Sequence, residues 1–223
     1  MFEKKLPTDS YFTPSDNRGF SIIELMVVVG IFTLISGVLL GNYPLFSHKI
    51  SVQNLAHQIA LEIRQAQVFG LSVKEARPGC LEGTINCFPA YGVYFSALDR
   101  GSFILFNDSN NNKKYDFAAQ DCSSPSNTEC IEKISIASGD NIRDICGTDS
   151  SGQQKCASLL GQLDYLNIVF VRPDPDANII GTAPGGDTLY SSAEISVEPP
   201  KKDFCRIIKV WSTGQISVPE LCP

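Results

Sequence analysis

A single carboxylate, Glu24, lies inside an otherwise uncharged run from residue 22 to residue 41. As a helix, a run of this length rises about 30 Å, which matches the hydrocarbon core of a bilayer. An isolated carboxylate at that depth costs about 3 kcal/mol on insertion scales. Glu24 is therefore expected to have either a cationic partner or a function that requires it.

The residues around Glu24 carry a more specific signal. The segment Gly19-Phe20-Ser21-Ile22-Ile23-Glu24-Leu25 resembles the prepilin cleavage signature of type IV pilins and secretion pseudopilins. The resemblance implies that a membrane peptidase cuts between Gly19 and Phe20, that the new amino group of Phe20 is methylated, and that Glu24 becomes the fifth residue. The positive amino terminus at Phe20 and Glu24 of a neighbouring subunit then neutralise each other on assembly.

The alternative is a plain, uncleaved signal anchor. It leaves Glu24 without a partner, and a secretory signal peptide would instead end in a small-residue cleavage site. The leader, residues 1–19, carries Lys4, Lys5 and Arg18, and basic residues beside a span favour the cytoplasmic side. We therefore expect a single-pass inner-membrane protein whose carboxyl-terminal domain lies in the periplasm before it enters a filament.

The elements that position these residues begin with a long helix. Residues 20–43 form its transmembrane part, and residues 44–78 continue as an amphipathic helix that ends near Arg77, Pro78 and Gly79. Pro44 lacks an amide hydrogen, which predicts a kink or local melting around residues 41–44.

Residues 79–223 read as a β-rich domain. Strands are expected at 91–95, 102–106, 131–136, 166–171, 193–197, 204–211 and 215–218, and loops at 123–128 and 172–186. The expected fold class is α+β, a long amino-terminal helix packed on a mostly antiparallel sheet, as in pilins.

The sequence has 18 basic and 24 acidic residues and a net charge of −6, which gives no general attraction to nucleic acid. Its eight cysteines all follow the membrane segment, which favours an oxidising compartment and disulfides. Eight cysteines allow many pairings, and the spacing favours neighbours. The favoured pairs are Cys80 with Cys87, Cys122 with Cys130, Cys146 with Cys156, and Cys205 with Cys222.

Oxygen-bearing side chains alternate in one short segment. Asp108, Asn110, Asn112 and Asp116 occupy positions 1, 3, 5 and 9 of a calcium-type loop, and similar loops occur in some minor pilins. Lys113 stands where such a loop prefers glycine, and Ala119 stands where it has a bidentate glutamate. Calcium is the one cofactor left open, and the alternative is an Asn-rich hairpin turn.

A small basic cluster, Lys201, Lys202, Arg206 and Lys209, lies near the carboxyl terminus, diluted by Glu198 and Asp203. Related minor pilins of DNA uptake hold phosphates with such a region. The ordinary interpretation is a sheet edge protected by lysines. DNA uptake is therefore the alternative function, and we expect no nucleic-acid partner.

Three further segments, 61–67, 169–173 and 210–216, resemble the H-type minor pseudopilins and related minor pilins (GspH and FimT). Asp174-Pro175-Asp176 replaces the glycine turn that is typical there. The chain lacks a nucleophile elbow, a phosphate loop, and a histidine placed beside a serine or cysteine, so we predict no enzymatic activity. The resemblance implies a minor subunit of a secretion pseudopilus or type IV pilus, with other pilins, the prepilin peptidase and the inner-membrane assembly platform as partners.

Overall fold

The computed structural model describes residues 19–72, 88–116, 122, 129–158, 162–202, 204–219 and 222, apart from the side chains of 42–46. The chain divides into two compact units, Met1–Pro44 and Leu45–Pro223. One helix, α1 (Ile22–Leu71), contributes to both. The predicted helix end near Arg77–Gly79, the loop at 123–128 and the Cys80–Cys87 pair lie outside the described residues.

The prediction that the helix melts locally around residues 41–44 is wrong, because α1 remains helical through these residues. Proline removes one amide donor from the backbone ladder, while the turns before and after it keep theirs. The cost at this position is therefore too small to end the helix.

Eleven strands are described, and every pair that they form is antiparallel. A six-stranded sheet has the order β3-β2-β1-β6-β7-β8, and a five-stranded sheet has the order β11-β10-β9-β4-β5. The strands are β1 (Ala90–Ser96), β2 (Ser102–Asp108), β3 (Cys130–Ser135), β4 (Asn141–Thr148), β5 (Gln154–Cys156), β6 (Tyr165–Phe170), β7 (Ala177–Ala183), β8 (Gly186–Tyr190), β9 (Ser192–Glu198), β10 (Arg206–Trp211) and β11 (Ile216–Ser217). The α+β class with a mostly antiparallel sheet is confirmed.

The main core lies between α1 and the two sheets. Apolar residues of α1 recur every three or four positions, so they form one face, and that face is buried. Its members are Val52, Leu55, Ala56, Ile59, Ile63 and Ala66. They pack with inward residues of both sheets, such as Phe95 and Leu166 from the first and Ile195 and Ile208 from the second. The helix is therefore part of the domain core.

The expected loop at 172–186 is wrong, because β7 occupies its centre and pairs with both β6 and β8. Gly181 is required in this strand. The side chains of Leu163 and Tyr190 lie where a Cβ atom would stand. Ala177 and Ile179 face the core, so burial and pairing outweigh the weak strand preference of the surrounding sequence.

Gln67 joins α1 to the end of the chain. Its side chain is 6% exposed, and Nε2 donates to the carbonyl oxygens of Pro175 at 3.1 Å and Gly214 at 3.2 Å. Gly214 has φ +78°, and a Cβ atom there would collide with the Pro175 carbonyl. Three segments that are far apart in sequence thus meet at the buried amide of Gln67.

Three disulfides fall among the described residues, and they are the pairs favoured by spacing. Cys122–Cys130 and Cys205–Cys222 have Cα separations of 5.2 and 5.8 Å. Cys146–Cys156 links directly opposed residues of β4 and β5 at 4.1 Å and fastens the short edge strand to the sheet.

We predict that mass mapping without reduction finds four internal bridges, the three above and Cys80–Cys87. The Cys205–Cys222 bridge closes a loop of 17 residues. Replacing both of these cysteines with serine should lower the free energy of unfolding by about 3 kcal/mol, because the unfolded chain regains the entropy of that loop. Denaturant unfolding of the double serine variant and of the unaltered chain, both without reductant, measures the change. Free thiols throughout the oxidised protein would contradict the predicted bridges.

Candidate functional site

The predicted processing segment lies at the start of α1. Residues 19–21 are not helical, and Leu25 N donates the first helical hydrogen bond to Ser21 O at 3.1 Å. Phe20 is 82% exposed, and apart from the flanking residues no described atom lies within 4 Å of a Cβ built on Gly19. Within the described part of the chain, the Gly19–Phe20 bond thus lies uncovered just before the start of α1.

Glu24 lies in the first turn of α1 and is exposed. A carboxylate at a helix amino terminus is favoured by the exposed amide groups of that turn. Its side chain makes no ion pair among the described residues. Within one copy of the chain it is thus available to a cation supplied by another molecule.

The helix segment Ile22–Gly41 is long and apolar enough to cross a membrane, with a mean hydropathy of 2.5, and none of it is buried inside the protein. Its side chains are uncovered in the single chain. Lipid or neighbouring helices can provide the surroundings that this segment needs. This combination of length, composition and exposure is that of a membrane anchor.

The loop after β2 is organised by Asp108, which is only 2% exposed. Its two carboxylate oxygens accept backbone N–H groups of Asn112 at 3.0 Å and Lys113 at 2.8 Å. Lys113 has φ +62°, the left-handed conformation for which calcium loops use glycine. The backbone thus makes the sharp turn in spite of the lysine, which removes one of the two sequence arguments against a calcium loop.

Asn110, Asn112 and Asp116 complete the loop. Asn112 Nδ2 donates to Asp116 Oδ2 at 2.8 Å, and Asn110 Nδ2 donates to the same oxygen. Asn112 Oδ1 accepts the backbone N–H of Lys114 at 2.8 Å. The structure therefore brings together the four residues that the sequence proposed, and protein groups satisfy many of their oxygens.

Glu129 is a member of this loop that sequence analysis missed. One of its oxygens accepts the backbone N–H of Asp116 at 2.8 Å, and the other accepts both the N–H and the hydroxyl of Ser109. Burial raises the pKa of the Glu129 carboxyl and of the Asp108 carboxyl, and the neighbouring acids add to the effect. Glu129 comes just before β3, far from the loop in sequence, so no spacing rule could have found it.

The donor set of carboxylate and amide oxygens fits a hard cation such as Ca²⁺. A bound cation would also favour the charged forms of the buried acids. However, among the described residues the only three acid, histidine or cysteine ligand atoms within 4.8 Å of one another belong to Asp144, Cys146 and Cys156. The two cysteines of that group are joined in a disulfide and cannot bind metal. Calcium at the Asp108 loop stays a prediction.

The calcium prediction can be tested by thermal unfolding of the full chain in detergent. If the loop binds Ca²⁺, a concentration of about 100 times Kd adds about 2.7 kcal/mol to the free energy of unfolding and raises Tm. Asp108→Ala should abolish the gain, whereas Asp99→Ala, in the turn between β1 and β2, should keep it. An unchanged Tm of the unaltered chain at millimolar calcium would leave the Asn-rich turn as the interpretation.

Two of the four residues of the basic cluster are paired with acids. Lys209 Nζ lies 2.7 Å from Glu194 Oε1, its cross-strand partner, and Lys202 Nζ lies 3.8 Å from Glu198 Oε1. The guanidinium of Arg206 lies over the ring of Phe204 at 5.2 Å. Asp203 lies outside the described residues. These contacts reduce the positive charge that the cluster could offer to phosphates.

We predict no measurable binding of duplex DNA by the full chain at physiological salt. Contacts from all four basic residues would give a log-log salt slope of about −3 to −4. A gel-shift titration at two salt concentrations tests this, with the quadruple glutamine variant of these residues as the matched control. Tight, salt-sensitive binding that the variant loses would favour DNA uptake over the purely structural filament role.

Comparison with known proteins adds one finding. The profile of the prokaryotic N-terminal methylation motif matches residues 14–40, which include Gly19, Phe20 and Glu24. No curated protein and no solved structure matches the chain. The motif supports processing by prepilin peptidase and implies assembly with other pilins. Together with the apolar helix that follows it, the motif supports a relation to the type IV pilins and pseudopilins.

Proposed function

We propose that the chain is an H-type minor subunit of a type II secretion pseudopilus or a type IV pilus. Cleavage after Gly19 and methylation of Phe20 produce the mature subunit in the inner membrane, with Leu45–Pro223 in the periplasm. The assembly platform then extracts it into a filament, where it lies at the tip or primes assembly. Its role is structural and involves no catalysis.

The observation that carries the H-type assignment is the meeting of the three segments that resemble those subunits. Segment 61–67 ends at Gln67, whose amide donates to Gly214 of segment 210–216. Segment 169–173 approaches the same helix at Gly70, where a Cβ atom would collide with the carbonyl oxygen of Phe170. Segments that resemble one family in separate patches therefore form one continuous packing unit, which supports a shared fold and not a chance likeness.

Purified filaments from cells that produce the chain test this proposal. Quantitative mass spectrometry should find the mature chain at a small fraction of the most abundant pilin, and loss of the chain should reduce the number of filaments. A filament made mainly of this chain would overturn the minor role. Filaments that form normally without the chain and never contain it would overturn the assembly role.

A further inference from the structure

Arg172 is a half-buried cation with no acidic partner in the described part of the chain. Its side chain lies at the end of β6, where the guanidinium carbon is 5.1 Å from the centre of the Phe88 ring. Nη2 donates to the carbonyl oxygen of Phe88 at 3.1 Å. Among the described residues, no carboxylate lies within ion-pair distance of it. The ring and the carbonyl thus hold the group in one place, while most of its N–H donors make no hydrogen bond with described residues.

Arg172 lines a surface pocket of about 210 Å³. One wall is apolar, and the other carries polar groups of the Asp108 loop. The lining residues are Phe88, Pro89, Ala90, Val171, Ser109 and Asn111, together with Arg172 and Asp108. The side-chain amide of Asn111 makes no hydrogen bond with the described residues, so it can donate to a ligand beside Arg172.

Asp108 does not neutralise Arg172. Its carboxylate accepts the backbone N–H groups of Asn112 and Lys113 and is directed into its own loop. It is also 2% exposed, so it offers little surface to a ligand in the pocket. The accessible charge in the pocket is therefore the positive charge of Arg172.

We propose that this pocket binds a carboxylate group presented by another polypeptide, as an acidic side chain. A planar guanidinium matches a carboxylate with two parallel hydrogen bonds, and such pairs are stronger than neutral ones. The apolar wall of Phe88, Pro89 and Val171 suits the carbon chain that carries the acid. Carboxylate binding uses only the folded domain. It can therefore be absent even if the filament role is correct, and it can be present even if the filament role is wrong.

The test uses the full chain in detergent and two matched tripeptides, acetyl-Gly-Glu-Gly-amide and acetyl-Gly-Gln-Gly-amide. Isothermal titration should show the Glu peptide binding at least tenfold more tightly than the Gln peptide, with affinity that falls as salt rises. Arg172→Gln should remove the preference, and Arg172→Lys should restore part of it because it keeps the charge but loses the planar fork. Arg100→Gln, the same change at an exposed arginine elsewhere, should leave binding unchanged.

Equal binding of the Glu and Gln peptides to the unaltered chain would overturn the carboxylate site, and this comparison needs no variant that might unfold. Unchanged preference in Arg172→Gln, in a protein with normal Tm, would overturn the role of Arg172. Sodium acetate is the third probe. If acetate binds as tightly as the Glu peptide, the pocket recognises a free organic acid and the assignment to a polypeptide partner is wrong.

Discussion

Replacing Gly19 with leucine should leave the chain at full length in the membrane. The peptidase must reach the carbonyl carbon of residue 19, and glycine leaves that bond uncovered, since none of the described residues beyond its neighbours lies near the position of its missing side chain. A leucine side chain would stand directly beside the bond to be cut. We expect loss of nearly all processing and, with it, of methylation at Phe20.

Intact-mass spectrometry of the membrane fraction measures the result directly. The unaltered chain should have the mass of residues 20–223 plus one methyl group, and Gly19→Leu the mass of the precursor. Gly41→Leu is the matched control, because it makes the same substitution at an equally uncovered glycine at the other end of the apolar segment. A mature filament subunit that still begins at Met1 would refute the assignment of the cleavage site.

Replacing Glu24 with alanine should leave cleavage normal but prevent assembly into the filament. The substitution leaves Gly19 and Phe20 unchanged, so the peptidase still has its substrate. In the filament, however, the amino group of a neighbouring Phe20 loses its carboxylate partner. A charge left unpaired in an apolar environment costs about 3 kcal/mol, which corresponds to a decrease of about a hundredfold in incorporation.

Affinity purification of filaments followed by quantification of the mature chain tests this prediction. Glu24→Asp should recover part of the incorporation because it keeps the charge, and Glu24→Gln should recover little. Glu3→Ala is the control, since that residue is removed with the leader. Normal incorporation of a processed Glu24→Ala subunit would show that the carboxylate has no role in assembly.

The strands that the sequence predicted have the plain pattern of β-branched and aromatic residues, as in β1 and β6. The strands that were missed break this pattern for identifiable reasons. In β4, a bulge between Ile142 and Asp144 places two core residues, Ile142 and Ile145, three positions apart, which hides the period of two. In β7, a glycine is needed because two other side chains fill its space. Neither cause is local, so neither could be inferred from the segment itself.

The candidate sites also differ in how far the sequence alone could predict them. Gly19, Phe20 and Glu24 lie within six consecutive residues, so the motif can be recognised from the sequence alone. The Asp108 loop was predicted from alternating oxygen ligands, but Glu129 joins it only through the pairing of β2 with β3. Arg172 likewise acquires its place from Phe88, which lies 84 residues earlier. Contacts of this kind require the tertiary structure.

The contact between Gln67 and Gly214 also bears on how the domain is made. These residues are 147 positions apart, and the hairpin of β10 and β11 is the last described part of the sheet to be synthesised. Contacts between such distant residues form slowly because a long loop must close first. The core around α1 is therefore complete only after the last strands have been synthesised and have packed against the helix.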